Sequence, residues 1–231
     1  MAFDFYRKCQ ALAEKFADAE AHIQSLGGSP REKLKIASSV AFGKSQLIPV
    51  LPKFLNANPD VSVALDLTDR YIDIEAERFD VAICFGEQRK MSDIVVRKFM
   101  NSQRILCEAP AYLERAGHPQ SFADLAQHNC LRLEGNYERN EWIWQSDAKG
   151  ANFEGNSTDV VFRATRAGLG IARLPSYLVA AKLQSVELIC VLPDYSQQNA
   201  EIAMLLADKR NLVHRIRVFV GFLVEEFRSG P

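Results

Sequence analysis

The 231-residue sequence lacks the features that would direct it to a membrane or to nucleic acid. No stretch approaches the ~20 apolar residues that span a bilayer, and the first ten residues show no basic flank followed by an apolar segment. Lys and Arg total 28 against 29 Asp and Glu, so the charge balance gives no attraction to a phosphate backbone. We therefore expect a cytoplasmic globular protein without a membrane partner.

Cysteine and histidine are too few and too scattered for the common metal sites. The five cysteines include no CxxC pair, and the four histidines are far apart in sequence. This distribution argues against a disulfide framework and a zinc site, and it favours cysteines buried as small apolar residues.

Motifs of nucleophilic, metal-dependent and phosphate-binding enzymes are also missing. GxSxG, HExxH, GxxxxGK[ST] and GxGxxG do not occur, and the GLG of residues 168–170 follows a helical pattern typical of a helix C-cap. An α/β enzyme would need an acid–base or nucleophile pair in a cleft, and the sequence offers none. It therefore predicts no catalytic residue, metal or cofactor.

A regularly spaced stripe of apolar residues lies at the amino-terminal end of the sequence. Its members follow one another at intervals of four and three residues: Phe5, Cys9, Leu12, Phe16, Ala19, Ile23 and Leu26. This coiled-coil spacing predicts a dimerisation helix over residues 1–28, ended by Gly27, Gly28 and Pro30. A helix packed on its own domain is the alternative, because three heptads are the lower limit for a coiled coil.

From Lys33 onward, predicted strands and helices alternate. Strands are expected at KLKIASS, VSVALDLTD, FDVAICFG, IVVRKFM, SQRILCEA, NCLRLEG, EWIWQS, ANFEGN, IARLP and EIAMLLAD. Helices are expected at SQLIPVLPKFLNANP, PAYLERAG, SFADLAQH, STDVVFRATRAGLG and the carboxyl-terminal segment ending near Phe227. This order predicts an α/β fold with a parallel sheet and two βαβ units.

Polar side chains stand where predicted strands end and predicted helices begin. Ser38 and Ser39 follow the first strand, and Asn156 precedes the helix that Ser157 would cap. Ligands of open α/β sheets bind at the carboxyl ends of strands, where helix N-termini carry a partial positive charge. Both places suit a small carboxylate, although helix capping is the alternative role of each hydroxyl.

Charged residues could complete such a site. Arg173 interrupts an apolar strand, where its guanidinium could clamp a carboxylate or instead face solvent. Thr68, Asp69 and Arg70 follow a strand and could form one lip of a cleft. The alternative for Asp69 is a surface ion pair with Arg70.

Four segments together resemble the effector-binding domain of LysR-type transcriptional regulators. They are KLKIASS, LIPVLPKFLNANPDVSVALDLTDRYIDIEAERFDVAICFG, EAPAYLERAGHPQSFADLAQHNCL and GNSTDVVFRATRAGLGIARLPSYL. No one segment is decisive, but FLxxxPxVxxxLxL, DVAI with a following Gly, PxYL before DLxxHxCL, and AGLGIAxLP form a specific combination. Residues 3–26 are similar to the family's linker helix, which is a dimer element.

The resemblance implies a two-lobed fold of the type 2 periplasmic-binding-protein kind, preceded by a long N-terminal helix. Lobe I would comprise residues 33–107 plus 208–231, and lobe II residues 108–207. A small effector would bind between the lobes. The family's contact positions fall on Ser38, Ser39, Thr68, Asp69, Phe85, Gly86, Ala172, Arg173 and Leu174. Cys84 and Arg173 depart from residues common in the family, arginine and an apolar residue respectively, so the effector preference is expected to differ.

The function implied is effector sensing and oligomerisation in a DNA-binding regulator, without catalysis. DNA would be contacted only through a winged helix-turn-helix domain preceding the linker helix and missing from this sequence. The alternative is a free solute-binding protein of a transporter, which would need an export signal.

As the resemblance implies, we expect a symmetric dimer built through a sheet edge or helix face of each lobe. The linker helix would add a second interface and so give a tetramer in the intact protein. Light scattering over a range of concentrations measures the mass in solution. A strict monomer at high concentration would contradict the dimerisation helix.

Overall fold

The computed structural model describes residues 32–85, 95–134, 140–143, 152–195, 198–206 and 213–228. The predicted dimerisation helix and Gly86 lie outside these residues. Within the described ranges, no helix is long and apolar enough to cross a membrane.

A parallel strand–helix–strand unit begins the described chain. Strand β1 (Glu32–Ser38) pairs in parallel with β2 (Val61–Leu67) and with β3 (Val81–Phe85). The connection from β1 to β2 is a continuous helical segment composed of α1 (Val40–Phe42), a π-helical turn (Gly43–Leu47) and α2 (Ile48–Ala57). Pro49 and Pro52 both lie within this continuous segment, where neither can donate a backbone hydrogen bond.

Six further strands and four further helices follow β3 in the described part of the chain. The strands are β4 (Val95–Glu108), β5 (Arg132–Leu133), β6 (Glu154–Gly155), β7 (Ala172–Pro175), β8 (Ile189–Cys190) and β9 (Gln198–Leu206). The helices are α3 (Pro110–Ala116), α4 (Thr158–Arg166), α5 (Ser176–Gln184) and α6 (His214–Glu226), with 3₁₀ turns at Phe122–Gln127 and Pro193–Tyr195.

The main sheet is mixed and has the order β2-β1-β3-β9-β4-β7, with β8 also pairing β4. The predicted parallel pairing is confirmed for β1, β2 and β3. It is wrong for the rest, because β9 runs antiparallel between β3 and β4, and β4 runs antiparallel to β7 and β8. The smaller sheet is the parallel pair of β5 and β6.

Strand β4 replaces the two strands predicted at IVVRKFM and SQRILCEA. It is one strand of 14 residues whose ladder with β9 shifts register between Lys98 and Met100. Its first part pairs with β9, while residues 104–107 pair with β7 and residues 107–108 with β8. The boundary predicted between these two strands therefore lies within one strand, which continues into a second half of the molecule.

Separate apolar cores define the two halves. In the first half, β1, β3, β9, α2 and α6 enclose one core, in which the rings of Phe54 and Phe219 meet edge to face at 5.1 Å. In the second half, one core contains Leu106 and Ile171, and another contains Cys107 and Leu174. Strand β9 packs its side chains into the core of the first half. The limits 33–107, 108–207 and 208–231 stay a prediction.

Residues 141–143, the described part of the segment EWIWQS, do not form the predicted strand. Residues 140–143 are a helical turn, in which the consecutive side chains of Trp142 and Ile143 are both buried. A half-buried strand alternates its side chains between two faces, so burial of both neighbours is incompatible with that prediction. The strands predicted at NCLRLEG and ANFEGN shrink to the two-residue pair β5 and β6.

The ends of α4 follow the sequence prediction closely. The Ser157 hydroxyl accepts a hydrogen bond from the Asp159 N–H at 3.2 Å, which confirms the N-cap. Beyond the helix, Gly168 has a φ of 75°, and its N–H donates to the Thr165 carbonyl while the Leu169 N–H donates to that of Ala164. This Schellman arrangement confirms the GLG segment as a C-cap.

Gly170 allows two backbone segments to approach closely, and Gly170→Ala tests this contact. An added Cβ would lie 2.1 Å from the backbone carbonyl oxygen of Asn129, which cannot move without breaking the bridge between Cys130 and Ile171. We expect the free energy of unfolding to fall by about 1–3 kcal/mol, measured by urea unfolding.

Gly221→Ala is the matched control, because a Cβ there meets no atom of the described residues within 4 Å. Its position in α6 should make alanine neutral or stabilising by up to about 1 kcal/mol. Equal stability of the two variants would contradict the close approach at Gly170.

Candidate functional site

A cavity of about 560 Å³ lies between the two halves. The first half lines it with Val40, Leu67, Thr68, Asp69, Arg70 and Tyr71, and the second half with Glu134, Asn156 and Ser157. Its volume is within the range of small-molecule sites in proteins. We call this cavity the cleft.

The carboxyl ends of β1 and β2 form the floor of the cleft in the first half. Their parallel register places Ser38 opposite Leu67, and the Thr68 N–H donates to the Ser38 carbonyl at 2.8 Å. The Ser39 hydroxyl accepts a long hydrogen bond, 3.4 Å, from the Phe42 N–H and so caps the helical segment. The Ser38 hydroxyl is fully buried and has no hydrogen-bond partner among the residues described.

Asp69 brings a carboxylate into this floor. Its Oδ2 atom is buried, again without a hydrogen-bond partner in the described part of the chain. The adjacent Arg70 does not neutralise it, because the guanidinium donates two hydrogen bonds to Glu77, one of them 2.8 Å long. These bonds raise the pKa of Arg70 and lower the pKa of Glu77. Arg70 therefore forms its ion pair with Glu77 and not with Asp69.

The opposite wall is the start of α4. Asn156 is exposed at the cleft, and Ser157 follows as the N-cap. Helix N-termini attract negative groups, whereas the nearby Glu134 carboxylate attracts hydrogen-bond donors. The cleft therefore offers a weakly positive wall and two acidic side chains, Asp69 and Glu134.

A much smaller cavity, of about 20 Å³, lies within the second half. It has room for about one water molecule. Its lining consists of Arg104, Leu131, Leu133, Asn140, Trp142, Thr158, Val161, Arg173 and Leu174. Arg173 lies opposite Leu106 across the β4–β7 ladder, so it shares a sheet face with Arg104. Both arginines therefore line this smaller cavity from the same face of the sheet.

The predicted site residues fall into three groups. Thr68, Asp69 and Asn156 line the cleft together, and Ser38 and Ser39 adjoin it beside Thr68 and Val40. Arg173 and Leu174 line the smaller cavity, and Ala172 is buried in β7. Phe85 ends β3, and Gly86 lies outside the described residues.

Sequence reasoning missed Tyr71 and Glu134 as cleft residues. Tyr71 follows the DR pair after β2, so its position at a strand end was a usable signal. Glu134 was hidden because a longer strand was predicted where β5 ends at Leu133.

An ion pair joins the two halves beside the cleft. Lys44 Nζ in the π-helical turn lies 3.1 Å from Asp159 Oδ2 in α4, which also accepts a hydrogen bond from Arg163 Nε at 2.9 Å. Burial raises the pKa of Asp159, but the hydrogen bonds from Arg163 and Lys44 outweigh burial, so the pKa is lowered. Nothing in the sequence connects Lys44 with a residue 115 positions away.

Comparison with known proteins agrees with this architecture. Residues 27–228 match the LysR substrate binding domain. The chain belongs to the LysR family. Its relatives are transcriptional regulators, not enzymes, as the sequence predicted.

Two sequence relatives illustrate the match. An uncharacterized HTH-type transcriptional regulator of Haemophilus influenzae is 29% identical over 214 residues, covering 90% of this chain and 74% of that protein. The HTH-type transcriptional activator TtdR of Escherichia coli K12 is 29% identical over 203 residues, covering 84% of this chain and 64% of TtdR.

A solved structure supports the fold. The regulatory domain of CrgA, a LysR-type transcriptional regulator from Neisseria meningitidis, superposes with a TM-score of 0.78 at 26% identity. The match covers 85% of this chain and 99% of that domain. The predicted periplasmic-binding-protein-like fold is therefore confirmed, and the first and second halves are its lobes I and II.

Asp159→Asn should remove the charge of the interlobe ion pair. Because the folded-state pKa of Asp159 is lowered, its stabilisation is present above the unfolded pKa of about 3.9 and is lost as pH falls through the folded pKa. We expect a loss of about 1 kcal/mol in the free energy of unfolding at pH 7, discounted because both cations are largely exposed.

Denaturant unfolding from pH 8 to pH 2 measures this difference, with Asp60→Asn as the control at an exposed turn. The difference between wild type and Asp159→Asn should vanish at the acid end. A difference that persisted at pH 2, or one equal to that of the control, would contradict a charge-based contact.

Proposed function

We propose that the chain is the effector-sensing and oligomerising region of a LysR-type DNA-binding regulator, and that a small metabolite binds in the cleft. The observation that supports this most is Asp69, which lines the cleft and whose Oδ2 atom is buried without a hydrogen-bond partner in the described structure. An unpaired buried polar atom costs roughly 1–3 kcal/mol. A ligand that bonds to Asp69 would recover part of that cost.

The second part of the proposal is that the effector is a small carboxylate that also carries hydroxyl or ammonium donors. The N-terminus of α4, beside Asn156 and Ser157, supports a negative group. The acceptors Asp69 and Glu134 favour donors elsewhere on the same ligand.

Arg173 enters the proposal indirectly. The smaller cavity that it lines with Arg104 adjoins the cleft wall, since Leu133 and Thr158 of that cavity directly neighbour Glu134 and Ser157 of the cleft. Contacts of the effector with Phe85, Gly86 and residues 172–174 stay predictions.

Regulation would follow from a ligand that touches both lobes. Such a ligand stabilises the lobe arrangement in which both walls reach it, and the Lys44–Asp159 contact would adjust at the same edge. In a dimer or tetramer held by residues 1–28, the change in lobe arrangement would alter how DNA-binding segments outside this sequence bind a promoter. We propose that this occurs in the cytoplasm.

Thermal-shift screening followed by calorimetry tests the ligand class. The panel contains small mono- and dicarboxylates with and without hydroxyl or amino groups, each beside its neutral amide. We expect stabilisation by substituted acids, and a loss of affinity of about tenfold or more in Thr68→Val and Asp69→Asn, because each removes one buried hydrogen bond.

Asp194→Asn is the matched control, because Asp194 is exposed in the 3₁₀ turn at Pro193–Tyr195. It should bind like the wild type. If only the neutral amides bound, the effector would not be a carboxylate. If ligands bound with the same affinity to the wild type and to both cleft variants, the cleft would not be the binding site.

A further inference from the structure

Two cysteines face each other at the edge of lobe II. Cys107 near the end of β4 and Cys190 in β8 are directly opposite in an antiparallel pair. The next pair along the ladder, Leu106 and Val191, is hydrogen-bonded, since the Val191 N–H donates to the Leu106 carbonyl at 2.9 Å. Bonded and non-bonded pairs alternate in such a ladder, so Cys107 and Cys190 form a non-hydrogen-bonded pair.

This pair type suits a disulfide. Its Cα atoms are typically about 4.5 Å apart, with both side chains on the same sheet face. Disulfides span Cα separations of about 4.4–6.8 Å. The backbone register therefore already meets the requirement, and side-chain rotation would bring the sulfur atoms together.

The two thiols differ in their access to solvent. Cys190 is exposed, whereas Cys107 is fully buried. Burial, followed by the proximity of Cys190 and Glu108, raises the pKa of the Cys107 thiol. A dissolved oxidant would therefore meet Cys190 first, while Cys107 is shielded from it but adjacent to Cys190.

The other described cysteines are not placed this way. Cys84 is buried in a lobe I cluster with Ala82 and Ala203, and Cys130 in the lobe II cluster with Leu125. Among the described cysteines, Cys107 and Cys190 are therefore the two that pair across neighbouring strands, and Cys190 is the exposed one.

We propose that Cys107 and Cys190 are a site of reversible disulfide formation by hydroperoxides. The Cys190 sulfur attacks hydrogen peroxide, the O–O bond breaks, and a sulfenic acid forms with release of water. The Cys107 sulfur then attacks the sulfenic sulfur, the S–O bond breaks, and a second water leaves with the Cys107 proton. Two thiols are oxidised to one disulfide, and one peroxide is reduced to two waters.

The bond would act on the connection between lobes. It would join β4, which extends into both lobes, to the segment between α5 and β9, which returns the chain to lobe I. Residues 107 to 190 would become a closed loop containing most of lobe II. This restriction is independent of any effector in the cleft.

Peptide mapping of the full chain tests the proposal. After peroxide treatment and alkylation, trypsin places Cys107 in residues 105–115 and Cys190 in residues 183–209, with Cys9, Cys84 and Cys130 on three other peptides. We expect the first two peptides to be linked, and dithiothreitol to separate them. The melting temperature of the oxidised protein should rise by about 5–10 °C over the reduced form.

Cys190→Ser should abolish the linked peptide, and Cys84→Ser should retain it. The proposal is overturned if both thiols stay reduced, if Cys190 stops at a sulfinic or sulfonic acid, or if Cys107 links to another cysteine. A lower melting temperature after oxidation would also overturn it, because the bond would then strain the sheet.

Discussion

The continuity of β4 is the constraint on which the two-lobed arrangement depends. Over 14 residues this strand pairs with β9 in lobe I and with β7 and β8 in lobe II, so backbone hydrogen bonds extend through both lobes. The lobes cannot separate or rotate without bending it. Its ladder with β9 shifts register between Lys98 and Met100, within lobe I, and the strand continues from there to its pairs with β7.

The cleft is lined by the polar ends of elements from both lobes. Parallel pairing of β1 and β2 brings Ser38, Thr68 and Asp69 to one floor, while the N-terminus of α4 faces them from lobe II. Lys44 and Asp159 connect the same two walls by charge. Ligand recognition and lobe spacing therefore involve neighbouring residues of the same elements. Ligand binding in the cleft would therefore affect the spacing of the lobes.

Local features of the fold were predictable from sequence, and long-range ones were not. The caps of α4 at Ser157 and Gly168 depend on residues within one turn, and both were predicted. The insertion of β9 between β3 and β4 depends on pairs of residues that are 94 to 125 positions apart, which no periodicity encodes. For the candidate site, strand ends led to Thr68, Asp69 and Asn156. The direction of Arg173 into the smaller cavity required the β4–β7 register.

The position of β9 also has a consequence for how the nascent chain folds. Its neighbours β3 and β4 are made early, but the strand that joins them leaves the ribosome only after all of lobe II has been synthesised. Until then, β3 and β4 present unpaired edges and part of the lobe I core lacks its cover. Such an interrupted order delays cooperative folding and leaves these edges open to aggregation until β9 is made.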